Sequence, residues 1–314
     1  MKTLLDSSIL PKNCLLITCA SHEERSKGLL KILGGWSPEF TMLLHYSDSN
    51  ANGDEHRLEM ETKLLPHCPV RSLFFSEKKI IEKFDQHKSC LRSVIDTHGK
   101  SAIVVDVSVL TKRHLMMLLR WLDDCECWDR LWIVYSEPDD YEIDGNLPLS
   151  FGVSSVQQLP GFPSSPNPSR PLHAVMFLGY EGDRAFATYE LLQPQKTSVV
   201  IPNPPFKPQW QGRTEKLNSN LLSSIGVIRL ENADSIDPDS TFDLLENVLG
   251  PVKQRSEFSR AICPLGTKPQ TVGGYLYIRK CIDPPAVIYS RALRHNHSYY
   301  SHGVGATWLI HKPR

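Results

Sequence analysis

Ile17–Leu29 reads ITCASHEERSKGL, and Phe177–Tyr189 reads FLGYEGDRAFATY. Each leaves an apolar run, passes through a polar loop with an acidic residue beside an arginine, and continues with helical apolar spacing. That is strand, loop and helix, and it occurs twice. Working outward, each half supplies a strand followed by a Thr-Lys pair, then an apolar run ending in Tyr-Ser. The landmarks are Arg25, Lys112 and Tyr135 in the first half and Arg184, Lys268 and Tyr289 in the second. The Arg-to-Lys intervals are 87 and 84 residues, and the Lys-to-Tyr intervals 23 and 21. Polar loop residues repeated at such matched intervals point to a repeated binding surface as well as a repeated fold.

The elements between these landmarks alternate. In the first half, Cys14–Cys19, Thr41–Tyr46, Ser72–Phe75, Ala102–Val107 and Leu131–Tyr135 read as strands. Ser26–Leu33, Leu58–Leu65, Glu77–Thr97 and Lys112–Leu122 read as helices, and Asn50–Gly53 as a turn. In the second half the strands are Ala174–Leu178, Thr197–Ile201, Val227–Leu230, Ala261–Cys263 and Ala286–Tyr289. The helices are Arg184–Leu192, Lys216–Ser224, Thr241–Leu249, capped by Asp239 or Ser240, and Gln270–Tyr277. Strands that alternate with helices predict an α/β protein of two tandem doubly wound, Rossmann-like halves with mainly parallel sheets. The expected domains are 1–150 and 172–314, joined by a Pro/Ser-rich linker at 151–171 that does not sustain regular pairing.

Composition narrows the function classes. The 314 residues suffice for two cores, and 35 basic against 35 acidic residues leave no net field to attract duplex DNA. The eight cysteines include no Cys-x-x-Cys pair and fall mostly in apolar runs, as free thiols in a reducing cytoplasm do. Residues 1–13 lack the pattern of a signal peptide, and no apolar run reaches membrane-spanning length. The expectation is a soluble, cytoplasmic protein without membrane contact.

Candidate site residues lie where the strands end. Cys263–Leu276, CPLGTKPQTVGGYL, puts a Gly-containing turn and Pro269 at a helix start, where free backbone N–H groups and Lys268 suit a phosphate. A solvated lysine on a tight turn is the alternative. Gly273 and Gly274 would admit another backbone closely. Thr111 and Lys112 recur at the equivalent place. Glu24-Arg25 and Asp183-Arg184 pair a carboxylate with a guanidinium able to fork onto phosphate or stack on a base, the carboxylate holding the guanidinium or accepting from a ribose hydroxyl. An ion pair within the loop is the competing reading. The segments Tyr135–Tyr141 and Tyr289–Gly305 follow the last strands, and Tyr135, Tyr289, Arg291 and Arg294 are placed for stacking and charge neutralisation.

Other features read as structural. GYEGDR at Gly179–Arg184 is not a full dinucleotide fingerprint, and neither a P-loop nor a nucleophile elbow is present. His295, His297 and His302 do not have zinc spacing, so no metal or cofactor is expected. The Pro-rich Ile201–Arg213 is a packing loop or a lid carrying Phe206 and Trp210. Cys125 and Cys127 mark a helix-to-strand corner, and Met116–Leu119 is core.

Gly266-Thr267-Lys268 resembles the Gly-Thr-Lys signature of CRISPR-associated Rossmann-fold (CARF) ligand-binding domains, and the paired halves resemble the fused SAVED arrangement. Thr111 and Lys112 match without the glycine, Val109-Leu110 standing where Leu265-Gly266 would be. The resemblance implies a sensor of cyclic oligonucleotides in prokaryotic antiviral defence, with the loops Ser21–Arg25 and Tyr180–Arg184 also contributing. The effector domain that such sensors often carry is absent from the sequence, which implies a separate effector protein. The expected site comprises Glu24, Arg25, Thr111, Lys112, Tyr135, Asp183, Arg184, Gly266, Thr267, Lys268, Tyr289, Arg291 and Arg294. Arg25, Lys112, Arg184 and Lys268 are expected to converge on an anionic, nucleotide-like ligand between halves related by an approximate twofold axis, the second half dominating. An enzyme acting on a nucleotide or phosphorylated substrate, with His295 or His297 as acid or base, and a protein-binding scaffold without a ligand are the two alternatives.

Overall fold

The computed structural model describes residues 2–46, 51–76, 79, 82–141, 149–162, 166–224, 228–295 and 301–313. Asn50, Glu77, Asp144, Val227 and His297, together with 163–165 of the expected linker, lie outside these residues. The chain divides into two compact units. One comprises Lys2–Thr111, Leu118–Glu142 and Tyr300–Arg314; the other, Lys112–Met117 and Ile143–Tyr299.

The first unit holds β1 (Thr3–Leu4), β2 (Cys14–Ala20), β3 (Phe40–Tyr46), α1 (Ala51–Leu64), β4 (Val70–Phe75), α2 (Phe84–Thr97) and β5 (Ala102–Asp106). Then follow α3 (Lys112–Asp124), whose first turns belong to the second unit, β6 (Leu131–Ser136) and β7 (Asp140–Tyr141). The second unit holds β8 (Ser150–Gln158), β9 (Leu172–Phe177), α4 (Gly182–Leu192), β10 (Lys196–Pro202), α5 (Arg213–Leu217), α6 (Ser219–Ser224) and β11 (Ile228–Ala233). It continues with α7 (Pro238–Leu249), β12 (Ser259–Pro264), α8 (Lys268–Lys280) and β13 (Ala286–His295). The chain closes with β14 (Ser301–His302) and β15 (Thr307–His311).

Sequence dictates this layering. Every residue of β2, β9 and β12 is buried, as expected of near-continuous apolar strands covered on both faces. The first sheet runs β1-β15-β6-β5-β2-β3-β4, and the second β11-β10-β9-β12-β13-β8. In both, five strands pair in parallel with the order third, second, first, fourth, fifth, and a sixth pairs antiparallel beside the fifth. The order reverses between β2 and β5, and between β9 and β12. In the second unit α4 packs on β8, β13 and α6, whereas α7 packs on α8. Among the described residues no helix is long and apolar enough to cross a membrane.

Several expectations need correction. The expected linker contains β8, which pairs along the length of β13 from Ile288↔Gln158 to His295↔Ser150. The sixth strand of each sheet is thus supplied by the segment following the other half's fifth strand: β8 follows β6 in sequence but joins β13, while β15 follows β13 but joins β6. Composition concealed β8, an edge strand of polar and small residues. The segment after Tyr289 continues as strand, so Arg291 and Arg294 lie within β13. The expected helix at Ser26–Leu33 is a 3-10 helix, Glu24–Ile32, drawn close to β6: a Cβ on Gly28 would lie 2.8 Å from Ser136 Cβ. Lys216–Ser224 divides into α5 and α6, and α7 is capped by Asp237, whose carboxylate accepts from the Asp239 N–H at 3.1 Å. Residues 51–53 belong to α1. Met116–Leu119 is buried, as expected of core.

Gly273 and Gly274 separate cleanly. A Cβ on Gly273 would collide with the Pro238 carbonyl oxygen and stand 2.6 Å from Thr241 Cβ, so α8 approaches both the backbone and a side chain of α7 there, as expected of this glycine. A Cβ on Gly274 meets nothing within 4 Å. Gly273→Ala is therefore expected to destabilise the protein by about 1–3 kcal/mol through overpacking. Gly274→Ala is expected to be neutral or to stabilise by roughly 0.5–1 kcal/mol through helix propensity. Urea denaturation of the two variants measures the difference.

Candidate functional site

The carboxyl end of each sheet begins with a buried carboxylate and a buried guanidinium. In the first unit Glu23 and Arg25 are 3% and 2% exposed. Arg25 Nε donates to Glu23 Oε2 at 2.9 Å, Nη2 stands 2.6 Å from the same oxygen, and Nη1 donates to the Tyr135 hydroxyl at 3.1 Å. Ser301 Oγ also donates to Glu23. In the second unit Glu181 and Arg184 are 7% and 3% exposed. Arg184 Nη1 donates to Glu181 Oε2 at 2.6 Å, Nε donates to the Ser290 carbonyl at 3.0 Å, and Nη2 reaches the same carbonyl. Ser150 Oγ donates to Glu181 Oε1 at 2.5 Å. Arg25 lies 5.8 Å from the Tyr135 ring centroid, and Arg184 lies 5.0 Å from that of Tyr289.

The repeat is therefore a quartet of Ser, Glu, Arg and Tyr, built twice. Its carboxylates are Glu23 and Glu181; the acidic neighbours named from sequence, Glu24 and Asp183, are exposed. Glu24 accepts from the Gly303 N–H at 2.9 Å. Glu23 and Glu181 precede their helices, where a carboxylate favours the dipole. Neither serine was singled out from sequence: Ser150 closes the expected first domain, and Ser301 lies within Tyr289–Gly305, read for its tyrosines and arginines. The pairing of the sixth strand with β13 brings in Ser150, and that of β14 with β7 brings in Ser301.

Burial alone would push the Glu181 carboxyl up. Arg184, Lys112, the Ser150 hydroxyl and His295 outweigh it and hold the group down at about 2. Burial opposes the charge on Arg25 as well, and Glu23, Tyr135 and Tyr141 overcome it and raise its pKa. These are paired, hydrogen-bonded charges of the kind whose rupture is costly.

Asp106, at the end of β5, was not singled out from sequence. Its carboxylate is 2% exposed and accepts the Ser108 N–H at 2.9 Å, the Ser108 hydroxyl, and Thr18 Oγ1 of β2 at 3.4 Å. Ser108 Oγ in turn accepts the Ser136 N–H at 2.7 Å. Burial raises Asp106 to about 6 against the lowering by these bonds and Arg25.

The Gly-Thr-Lys turn folds as a capping box. Thr267 Oγ1 accepts the Gln270 N–H at 3.2 Å, and Gln270 Oε1 accepts the Thr267 N–H at 3.0 Å. Gly266 is required because a Cβ there would meet Gln270 Oε1 and lie 3.0 Å from Phe177 Cβ. Thr267 Oγ1 also donates to the Ser235 carbonyl at 2.8 Å. The amides of Thr267 and Gln270, expected to face an anion, are thus taken internally, and Pro269 has none. Lys268 remains partly exposed at the helix start. Thr111 donates its N–H to the Tyr46 hydroxyl at 2.9 Å, and Lys112 opens α3. Arg291 Nε donates to Ser154 Oγ at 2.7 Å, and Arg294 is exposed.

The loops that follow the first and fourth strands of the second unit do come together. A Cβ on Gly179 would stand 2.5 Å from the Leu265 carbonyl oxygen and 3.9 Å from Gly266 Cα. They flank the point where strand order reverses, the position at which doubly wound sheets take ligands. The fold is Rossmann-like α/β. No family model matches the chain, and no curated protein matches it. Among solved structures it is similar to the cytoplasmic domain of a prokaryotic cation chloride cotransporter, at 10% identity and a TM-score of 0.26, over 92% of this chain and 99% of that one. It is also similar to a universal stress protein from Archaeoglobus fulgidus DSM 4304, at 10% identity and a TM-score of 0.25, over 90% of this chain and 97% of that one. Likenesses this slight transfer no role.

Beside the first-strand loop of the second unit is a cavity of about 180 Å³ lined by Ser150, Tyr180, Glu181, Gly182, Asp183, Arg184 and Leu217. The Pro-rich segment packs next to it: Trp210 is 5% exposed, its ring centroid 6.5 Å from that of Tyr180, and Arg213 lies 4.5 Å from the Tyr180 centroid. This segment is a packing loop. Among the described residues no group of three or more His, Cys, Asp or Glu is arranged to hold a metal.

Two pH effects of opposite sign follow. Glu181, depressed from 4.5 to about 2, contributes stability that is full above pH 4.5 and is lost as pH falls toward 2. Glu181→Gln is expected to cost about 3–5 kcal/mol at neutral pH by leaving Arg184 buried and unpaired, with the gap to wild type closing through that window. Asp106, raised from 3.8 to about 6, does the reverse, and its ionisation lowers stability as pH rises between these values. Asp106→Asn, which keeps the acceptor for Ser108, is expected to add about 1–3 kcal/mol above pH 6 and nothing below pH 4. Urea titrations from pH 3 to pH 8 separate the two.

Proposed function

We propose that this chain is a ligand-sensing or regulatory subunit that binds an anionic, nucleotide-like molecule at the carboxyl edge of its second sheet and acts through a separate effector protein. One observation carries the reading: Gly179, where the chain enters the Tyr180–Arg184 loop, adjoins Leu265 and Gly266 at the switch point between β9 and β12. The likeness of Gly266-Thr267-Lys268 to the CARF signature, and of the duplicated units to SAVED proteins, supports a cyclic oligonucleotide as the ligand and antiviral defence as the setting. Lys268 supplies a point charge for phosphate. Because Thr267 and Gln270 cap α8 internally, phosphate recognition in this reading rests on the Lys268 ammonium.

Thermal shift with cyclic oligonucleotides and mononucleotides tests this. A ligand from the panel is expected to raise Tm, and Lys268→Ala to weaken its binding about tenfold or more with the fold retained. No shift with any member would overturn the proposal. A second reading, a protein-binding scaffold without a ligand, is favoured by one observation: Arg25 and Arg184 are engaged by their own units. It predicts no shift, and an effector complex indifferent to joint substitution of Lys112 and Lys268.

A further inference from the structure

The cavity beside Tyr180 is specific about the chemistry it admits. It measures about 180 Å³, below the roughly 300 Å³ at which pockets enclose a whole drug-sized ligand. It therefore takes one moiety. Three of its polar side chains, Ser150, Glu181 and Arg184, are 3%, 7% and 3% exposed and fixed by one another. Arg184 is directed to Glu181 and the Ser290 carbonyl, so its charge is matched within the wall. Lys112 and His295 act on Glu181 without lining the cavity.

What remains in the wall is the Asp183 carboxylate. It is exposed and makes no hydrogen bond or ion pair with the described residues. The amides of Gly182 and Asp183 likewise have no acceptor among the described residues. A carboxylate accepts only, and an amide donates only. Their natural complement is a group that both donates and accepts, which a hydroxyl does and a phosphate dianion does not.

We infer that this cavity takes the hydroxyl-bearing sugar of the ligand, with Asp183 accepting from a ribose hydroxyl, and that the phosphate lies outside it. The inference rests on the proposed function and deepens it. Tyr180, held between Arg213 and Trp210, forms the aromatic part of the same wall.

The test uses the full chain with adenosine, guanosine, their 2′-deoxy counterparts, adenosine monophosphate and inorganic phosphate, followed by ligand-observed NMR and calorimetry. Ribonucleosides are expected to bind wild type, and Asp183→Asn to weaken them about tenfold, as loss of a charged hydrogen bond does. Inorganic phosphate should not displace them. Asp183→Ala, at an exposed position whose carboxylate holds no other described residue, is a second variant should Asp183→Asn fail to fold, and it too is expected to weaken ribonucleosides. Nucleotide binding that is indifferent to Asp183→Asn and Asp183→Ala, or displacement of nucleosides by phosphate, would overturn the sugar assignment and leave the proposed function standing. No binding of any nucleoside or nucleotide would sink both.

Discussion

A guanidinium almost sealed from water must be neutralised where it lies, and this requirement organises both units. Arg25 and Arg184 are each closed by a glutamate, and each glutamate by a serine brought from a distant part of the chain. Isolated burial of such charges would cost several kcal/mol apiece. The Glu–Arg contact offsets that cost only if the helix start, the fifth strand and the sixth-strand segment are all in register. Ser150 is placed by β8 and Ser301 by β14, so the polar cluster reports that the outer strands have been laid correctly. A one-residue slip of β8 would turn Ser150 away from Glu181, so the quartet adds a polar requirement to the register set by burial.

Much of the fold was legible because parallel strands covered on both faces must be apolar throughout. Cys14–Ala20, Leu172–Phe177 and Ser259–Pro264 are such runs, and the polar loops after them mark the strand ends. What was not legible is pairing at the sheet margins. Ser150–Gln158, SFGVSSVQQ, has no dominant apolar face, and its strand state depends on β13, well over a hundred residues away. No local propensity encodes that partner. The 3-10 form of Glu24–Ile32 was hidden for a similar reason: helical spacing alone does not register the approach of Gly28 to Ser136.

The site was legible by position more than by role. Arg25, Arg184, Tyr135 and Tyr289 were found from the repeat, and they do meet in pairs. Adjacency in sequence pointed to Glu24 and Asp183 as the carboxylates, yet geometry selected Glu23 and Glu181, which precede their helices and are buried beside the arginines, while Glu24 and Asp183 are exposed. Gly266-Thr267-Lys268 shows the converse. A motif read for its free amides uses two of them for its own cap, and the glycine is demanded by Gln270 and Phe177. Asp106 had no sequence signal beyond its place at the end of an apolar run.

The exchange of sixth strands bears on how the chain comes off the ribosome. β2 is made long before β15, so the first sheet lacks its sixth strand, and Glu23 lacks Ser301, until Ser301–His311 has been synthesised. All strands of the second sheet are complete by His295. The first sheet therefore closes after the second, and its β6 edge stays open from the making of Ser136 until Thr307–His311 has been made. A nascent chain in that condition has an unpaired template strand to shield, which makes Ser301–His311, short as it is, the closing step for the first unit.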